Sequence, residues 1–567
     1  MADPLRRPAR TGPVLAALLL AIPWPQAPVA RADSQNTCPG VSERLVTLAD
    51  VRAGRVDEGR ALVVEGIASG VFMQPDALGG FYLQQGKGPD ANGIFVYAPE
   101  QEPPPAGHRL QVHGQFHRHR GRPQVARVHQ VHDCGPEGLP AALSLQLPAD
   151  ADRLSHYPGV RVRFEQVLTV SGNHELGRYG SLVLSAGGRI RHPGQTGTTT
   201  EPRHAERRIV LDDGSYRARP DPIPYRDARG TRRAGSEVQG LTGILTRAFG
   251  DYRLHPTQTP RWRAGTRPAP PPKPAAEALR VALANLENDF VTLGLRGAQG
   301  HAERARQVRK LDALVQGLNA DLLVVVELEN RAKARRALRE RLNRAPQPRG
   351  PYVAITHPDP GEDAIQVAML YRPQRLHLET VVADPDPVHE RPPLLAWFRE
   401  SESGRRFGAV AAHFKSKGGC PARGDVDRGQ GCWNRRRTEQ AERLLAWIGE
   451  QRQGRFADVP VLILGDLNAY AGEDPIRTLA DAGQVDRVHD QPATIHTFVF
   501  HARAGQLDYI LGPQSMGPAI LRGGTWAVNA DEPDFLAHDG RDPATGPWRS
   551  SDHDPVWADL DPERMGP

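Results

Sequence analysis

The chain reads as an α/β protein preceded by β-rich modules, and three observations lead there. In the C-terminal half, five apolar runs with the character of enclosed strands stop at polar residues. Helical periodicity appears between those runs, but only beyond a proline-rich stretch. Before that stretch, short β-rich runs recur between turn signals.

Taken from the N-terminus, residues 1–32 have the layout of a secretory signal. Arg6, Arg7 and Arg10 precede the apolar run Val14 to Ile22, and Ala30-Arg-Ala32 supplies small residues before Asp33. That run is too short to span a bilayer, and no later segment offers a span. Residues 33–140 read as a small barrel, from Val63-Val-Glu-Gly66, Gly80-Phe-Tyr-Leu-Gln84, Gly93-Ile-Phe-Val-Tyr97 and Leu110-Gln-Val-His-Gly114. The alternating Phe81, Tyr82, Phe95 and Tyr97 suit core packing first and base stacking second. Residues 141–264 continue as a second β-rich module, through Arg161 to Val170, Ser181 to Leu184, Arg208 to Leu211 and Glu237 to Leu245. Thr266-Arg-Pro-Ala-Pro-Pro-Pro-Lys-Pro274 is a stiff, extended linker within residues 265–276.

Residues 277–562 form the α/β part. Ala302 to Leu318 and Thr438 to Glu450 carry apolar residues at helical spacing. Around them, Leu279 to Leu283 leads to Asn285, Leu322 to Val326 to Glu327, and Gly408 to Ala412 to His413. Val459 to Gly465 leads to Asp466 and Asn468, and Leu507 to Asp508. Open α/β architectures place their chemistry at such carboxyl ends. Each of these residues alone also suits a strand end or a helix cap; together they supply metal- and phosphate-competent groups in one region.

At 567 residues the chain is long enough for two or three domains. The formal charge of +6 falls by half once residues 1–32 are removed, so clusters matter more than the total. Arg435-Arg-Arg437 is the best cluster for a backbone phosphate, since guanidinium forks match phosphate oxygens. Four cysteines in an exported chain imply two disulfides among three connectivities. The short polar loop favours Cys420 with Cys432, which leaves Cys38 with Cys134. Neither pair has zinc-knuckle spacing.

Asn285, Glu327, His413, Asp466 with Asn468, Asp508, and Asp552 with His553 occur in the order of the endonuclease/exonuclease/phosphatase superfamily, which includes DNase I. Within it the chain resembles bacterial extracellular nucleases of the ExeM type. Val326-Glu-Leu-Glu-Asn330, Ala412-His-Phe-Lys-Ser-Lys-Gly418, Gln430-Gly-Cys-Trp-Asn434, Gly465-Asp-Leu-Asn468 and Ser551-Asp-His-Asp-Pro555 carry that likeness. It implies a DNase I-like sandwich of two β-sheets flanked by helices, preceded by β-rich OB-like modules. The chain departs from the pattern at Asn285-Leu-Glu-Asn-Asp-Phe290, which places Glu287 and Asp289 beside the expected metal site, and at Tyr509.

Phosphodiester hydrolysis needs a neutralised phosphate, an activated water and a stabilised leaving oxygen. Asn285, Glu327 and Asp552 are hard oxygen donors suited to Mg²⁺ or Mn²⁺. Asp466 orients or deprotonates water, Asn468 donates to a phosphate oxygen, and Asp508 fixes the His553 tautomer. His413 binds or protonates a phosphate oxygen, with Lys415, Lys417 and Arg437 adding positive charge, and Asp363 either orients the imidazole or is an ordinary loop aspartate. Asp425 and Asp427 in the Cys420–Cys432 loop read as solvated carboxylates, with Ca²⁺ as an additional structural ion the alternative. The expected function is a secreted or periplasmic nuclease acting on DNA, with no obligatory protein partner. A related hydrolase of RNA, nucleotides or phospholipid is the second reading, and an inert nucleic-acid-binding or matrix protein the third.

Overall fold

The turn-bounded runs upstream close into a barrel because alternate residues of each strand, such as Phe81, Leu83, Val96, Val112 and Val125, share one buried interior. In the computed structural model, which describes residues 38–40, 45–196, 202–344, 349–486 and 495–565, the barrel follows a short helix, α1 (Leu48–Arg52). The expected signal sequence lies outside the described residues. The barrel strands are β1 (Ala61–Phe72), β2 (Gly80–Gln85), β3 (Asn92–Tyr97), β4 (His108–His119) and β5 (Arg122–Pro136), closed in the order β1-β2-β3-β5-β4. Cys38 is joined to Cys134, which ties the start of the described chain to β5.

A nine-stranded sheet follows, built from β6 (Leu143–Ser144), β7 (Arg161–Phe164), β8 (Leu168–Gly172), β9 (Ser181–Ala186), β10 (Arg208–Asp212), β11 (Glu237–Gln239), β12 (Leu241–Ala248), β13 (Asp251–Pro256) and β14 (Arg261–Arg263). Short helices α2 (Leu176–Tyr179), α3 (Pro193–Thr196) and α4 (Pro202–Glu206) interrupt it. The barrel aromatics that suit base stacking are mostly spent on internal packing. Phe81 is core, and Tyr82 packs with Phe72, Phe95 and His255, the last from β13.

Two six-stranded sheets packed face to face make the rest. One contains β15 (Leu279–Asp289), β16 (Leu322–Glu329), β17 (Val353–Ala354), β18 (Ile365–Tyr371), β27 (Ile520–Thr525) and β28 (Val556–Leu560). The other contains β19 (Leu376–Ala383), β20 (Leu394–Glu400), β21 (Arg406–His413), β22 (Val461–Asp466), β23 (Gln484–Asp486) and β26 (Asp508–Pro513). A separate hairpin joins β24 (Phe498–Phe500) to β25 (Arg503–Gly505). Helices α5 (His301–Leu318) and α6 (Ala332–Leu342) flank the first sheet, and α7 (Asn434–Gln451) and α8 (Asp474–Asp481) the second.

The period of two explains why these strands look continuously apolar. Leu279, Val281 and Leu283 enter the core between the sheets, whereas Ala282 and Ala284 pack under α5. Val410 and Ile463 likewise face Leu444 and Trp447 of α7, while Ala411 and Leu464 face inward. Both faces are covered, so both must be apolar. This is the expected sandwich with helices outside.

The proline-rich stretch is laid along this sandwich. Arg267 donates to Glu532 at 2.9 and 3.0 Å, the Pro272 carbonyl accepts from Arg280 at 2.6 Å, and that of Lys273 from Arg522 at 2.6 Å. Arg280 is fully buried where β15 meets β28, and it grips Asp559 at 2.6 and 2.8 Å. Asp559→Asn strands that guanidinium, and an expected loss of about 3–5 kcal/mol follows from removing one partner of a buried pair. Urea unfolding measures it; a loss below about 1 kcal/mol, typical of exposed pairs, would show that this pair does not hold β15 to β28.

Candidate active site

Register brings the polar strand ends together. β21 and β22 are parallel with His413 opposite Asp466, and β22 and β26 are antiparallel with Asp466 opposite Asp508. These three side chains stand in a row on adjacent strands. They continue the inward faces of Ala411, Leu464 and Ile510, so they cap the core between the sheets.

The facing sheet supplies Asn285 and Glu327. Simple alternation sends Glu327 outward, because Val326 points into the core. A register shift between Val325 and Leu328, with Glu327 at φ 59°, turns it back toward the site. A left-handed glutamate is costly backbone, and such strain collects at functional positions. β15 carries a similar irregularity, with Glu287 at φ 46° and Asn288 at φ 58°.

His553 Nδ1 lies 2.8 Å from Asp508 Oδ2 and 3.8 Å from Asp466 Oδ2. The Asp508 and Asp466 carboxylates outweigh burial and hold the imidazole well above its ordinary range, in the charged form. The His553 ring also packs 4.6 Å from Phe498. Burial, reinforced by Asp508 and Glu327, pushes the Asp466 carboxyl up to about 7 despite His553 beside it. His413 is driven the other way by burial, Arg391 and His553, and is neutral; its Nε2 lies 3.6 Å from Asp466 Oδ2.

Asn285, expected among the metal ligands, stands between two of the site's carboxylates. Nδ2 donates to Glu327 and Asp466 at 3.2 Å each, and Oδ1 accepts the Glu287 backbone N–H at 2.8 Å. It aligns two carboxylates, and its Oδ1 keeps a second lone pair for a cation. Glu287 does join this group: burial, then Asp552, raises its carboxyl well above the usual range, and its Oε2 is buried with no hydrogen-bond partner among the described residues. Glu327 is raised by burial and Asp552 as well. Crowded, dehydrated carboxylates with an unpartnered oxygen suit a divalent cation, which relieves their repulsion. Ligand atoms of Glu327, His413 and Asp466 lie within 4.8 Å of one another, as do those of Asp466, Asp508 and His553.

Three expectations are corrected. Asp289 turns away from the site and is held by Arg304 and by Arg341, the latter at 2.5 Å, so it ties β15 to α5 and α6. Arg437 is fully buried and donates to the carbonyls of Cys432 and Lys415 at 2.8 and 3.2 Å, so it braces the loop and does not face a phosphate. Asp363 does not reach the His413 ring; it accepts from Arg391 at 3.3 Å, and Arg391 in turn holds the backbone carbonyls of His413 and Phe414. In the Cys420–Cys432 loop, Asp425 caps α7 through the N–H groups of Arg435 and Arg436, while the exposed Asp427 accepts from Gly429 and Gly431.

Of the remaining residues, Asn468 donates one amide hydrogen to Phe414 O at 3.2 Å and keeps a second for a ligand. Lys415 pairs with Glu390 at 3.3 Å over Trp433, and Lys417 with Glu473 at 2.5 Å; burial first pushes the Lys417 ammonium down to about 8. Cys420 and Cys432 are joined, with Cα atoms 5.3 Å apart.

Sequence reading missed Arg391, Thr497 and Phe498, and it missed the nine-stranded sheet as a wall of the site. Thr497 Oγ1 accepts the backbone N–H groups of Leu507 and Asp508 at 3.0 and 3.2 Å. His192 stacks on Tyr470 at 3.7 Å, its N–H donates to Ala504 O at 2.9 Å, and Arg191 pairs with Ala504. The resulting cleft, about 1590 Å³, is lined by Glu327, His413, Asp466, Asn468, Asp552 and His553, and by His192 and Gly194 from the β-rich half. A three-residue strand before Asp508 carries too little pattern to signal Thr497, and His192 reaches the site only through tertiary packing.

A sequence model of the Endonuclease/Exonuclease/phosphatase family matches residues 282–553. A search of curated proteins found no match. Similar solved structures include the human Nocturnin catalytic domain with bound sulfate, at 17% identity and TM-score 0.34, covering 51% of this chain and 96% of that one. A Bacteroides thetaiotaomicron mannosyl-6-phosphatase matches at 18% and 0.35, covering 50% and 99%. D. rerio TDP2 complexed with a single-strand DNA product matches at 16% and 0.34, covering 50% and 98%. Residues 282–553, which carry the His553, Asp508, Asp466 and Glu327 centre, are a domain of the endonuclease/exonuclease/phosphatase family.

Proposed function

We propose that the chain is an exported, divalent-metal-dependent nuclease that hydrolyses DNA phosphodiesters with little sequence specificity, like the bacterial extracellular nucleases it resembles. The observation that carries this reading is the buried Asp466–His553–Asp508 row facing Glu327 at the floor of a wide, basic cleft. Arg208, Arg296, Arg428, Arg477 and Arg503 line its walls. Its volume of about 1590 Å³ exceeds the roughly 300–1,000 Å³ of small-molecule pockets, which favours a polymer over a mononucleotide. The two disulfides support an oxidising compartment.

Asp466, ionising near neutrality, takes the proton of the attacking water. His553, held charged and oriented by Asp508, stabilises the phosphate oxygens on the opposite side. The free amide hydrogen of Asn468 and the ammonium of Lys415 hold non-bridging oxygens, and neutral His413 donates a hydrogen bond. Glu327, Asp552 and Asn285, with Glu287 beside them, would hold Mg²⁺ or Mn²⁺, which would supply charge neutralisation to the phosphate. Hydrolysis of plasmid DNA, set against RNA, nucleotides and a phospholipid with Mg²⁺, Mn²⁺ or chelator, tests the assignment; hydrolysis of any other substrate with DNA untouched refutes it.

His553→Ala and Asp466→Ala are each expected to lower DNA hydrolysis about a thousandfold or more with the fold intact. Turnover near the parent's in either variant removes that residue from the mechanism.

Glu327→Gln keeps the shape but loses the charge, so its activity should be partly restored by excess metal. A metal titration that coincides with the parent's would exclude Glu327 as a ligand.

Asp466 also predicts a stability effect in metal-free protein. Folding raises its carboxyl from 3.8 to about 7, so the stability tied to its protonated form is complete at low pH and is lost as pH rises toward 7. Asp466→Asn suffers no such loss, and its Tm advantage over the parent should grow from pH 4 to pH 7 and then level off. A difference that stays constant with pH would contradict the raised ionisation.

A further inference from the structure

A cavity outside the catalytic cleft holds buried polar groups that the fold leaves without partners. It lies where the loops after β10 and β13 meet β14, and its volume of about 600 Å³ falls within the roughly 300–1,000 Å³ of small-molecule pockets. Asp213, Tyr225, Arg232, Thr257, Gln258 and Trp262 are among its walls, and none of its lining residues belongs to the catalytic cleft. Arg232 is its buried cation. It is 3% exposed, its Nε donates to Tyr225 O at 2.7 Å, and its guanidinium lies 4.2 Å from the Trp262 ring centroid. Its Nη1 is buried with no hydrogen-bond partner among the described residues, and no carboxylate pairs with it there. Arg226, which also lines the cavity, is by contrast paired with Asp542 at 2.7 Å.

Further hydrogen-bond donors line the same cavity. Tyr225 Oη and Thr257 Oγ1 are both buried without a partner among the described residues. Burial, then Asp213 and Asp212, raises the Tyr225 phenol well above its ordinary range, so it keeps its proton. Tyr225 also stands at φ 60°, a left-handed backbone that is costly for a bulky residue and collects at ligand sites. Burial, with Asp212 beside it, pushes the Asp213 carboxyl up to about 7. Below that pH it is neutral, and it donates to an anion instead of repelling it. Gln258 adds an amide.

We infer that this cavity is a second, non-catalytic ligand site, which takes a tetrahedral oxyanion of the phosphate class, free or as the terminal group of a monoester. A buried cation without a counter-charge is costly, and an anion entering the cavity relieves that cost. Guanidinium, phenol, hydroxyl and carboxyl donors come from separate segments of the chain. They outnumber the two oxygens of a carboxylate and suit the three or four of a phosphate. The space left beyond a bare ion admits the rest of a small ester.

The test is isothermal titration of the full chain in chelator with inorganic phosphate, thymidine monophosphate and acetate, at about pH 6, where Asp213 carries its proton. Tyr225→Phe and Thr257→Val should each weaken phosphate about tenfold, as loss of one hydrogen bond to a charged ligand does. Neither should lower the Tm of the ligand-free protein, because each removes a hydroxyl that has no partner there. Lys415→Gln, in the cleft, should leave this binding in place, and acetate should bind about tenfold more weakly than phosphate or worse. Tighter binding of the nucleotide than of phosphate identifies a monoester as the occupant, and equal or weaker binding identifies the free ion. Absence of binding by either, affinity unchanged in both hydroxyl variants, or affinity abolished by Lys415→Gln overturns the site. Acetate binding as tightly as phosphate overturns the oxyanion class. Because no cleavage is read, a protein that binds phosphate here but hydrolyses no DNA would refute the proposed function and leave this site standing.

Discussion

Backbone register between β21, β22 and β26 is the constraint on which the candidate active site depends. Hydrogen-bonded pairing sets His413 opposite Asp466 and Asp466 opposite Asp508, and all three point between the sheets because Ala411, Leu464 and Ile510, two residues away on the same strands, do. A slip of one residue in any of these strands would turn its polar end toward the helices and its core residues to the wrong face. The packed interior, with Phe398, Phe407, Leu464 and Ile510 buried against the opposite sheet, excludes that slip. Apolar packing thereby sets the geometry of groups that are themselves polar.

Once placed, those groups strain against each other. Asp466, Glu327 and Glu287 are raised by burial and by neighbouring carboxylates, while His553 and the Asn285 amide offset part of the repulsion. The surrounding protein holds the arrangement with buried ion pairs. Arg233 grips Glu532 at 2.5 Å, Arg189 grips Asp531 at 2.5 Å, and His496 lies 3.0 Å from the same Asp531, directly before Thr497. Arg189 and Arg233 belong to the β-rich half. That half is therefore bound, through a desolvated charge cluster, to the segment that supports Asp508.

Legibility in the sequence followed pattern length. The eight-residue strands β16 and β21 and the helices α5 and α7 announce themselves through periods of two and 3.6, and their polar ends mark the site. The three-residue strands β24 and β25 carry no such signal, although Phe498 packs on His553 and the hairpin helps wall the cleft. Arg437 shows the converse failure. An arginine run reads as a solvated phosphate contact, yet the helical face at that position is buried, and the guanidinium finds backbone carbonyls.

By periodicity the sequence determined the α/β character of the C-terminal half and the β-rich character before it, while its resemblance to a known superfamily pointed to the two-sheet sandwich and to His553, Asp508, Asp466 and Glu327, which the fold brings together. Tertiary structure alone decided which oxygen donors converge on the cleft and which brace the scaffold. Asp289 and Asp363 are chemically able to serve the site, but a side chain's role follows from the direction its backbone gives it and from the partners it meets. Glu327 reaches the centre only through a left-handed backbone, and Asp289 is claimed by arginines from two helices. Those directions and partners are long-range properties of the packed chain, which no local pattern of residues encodes.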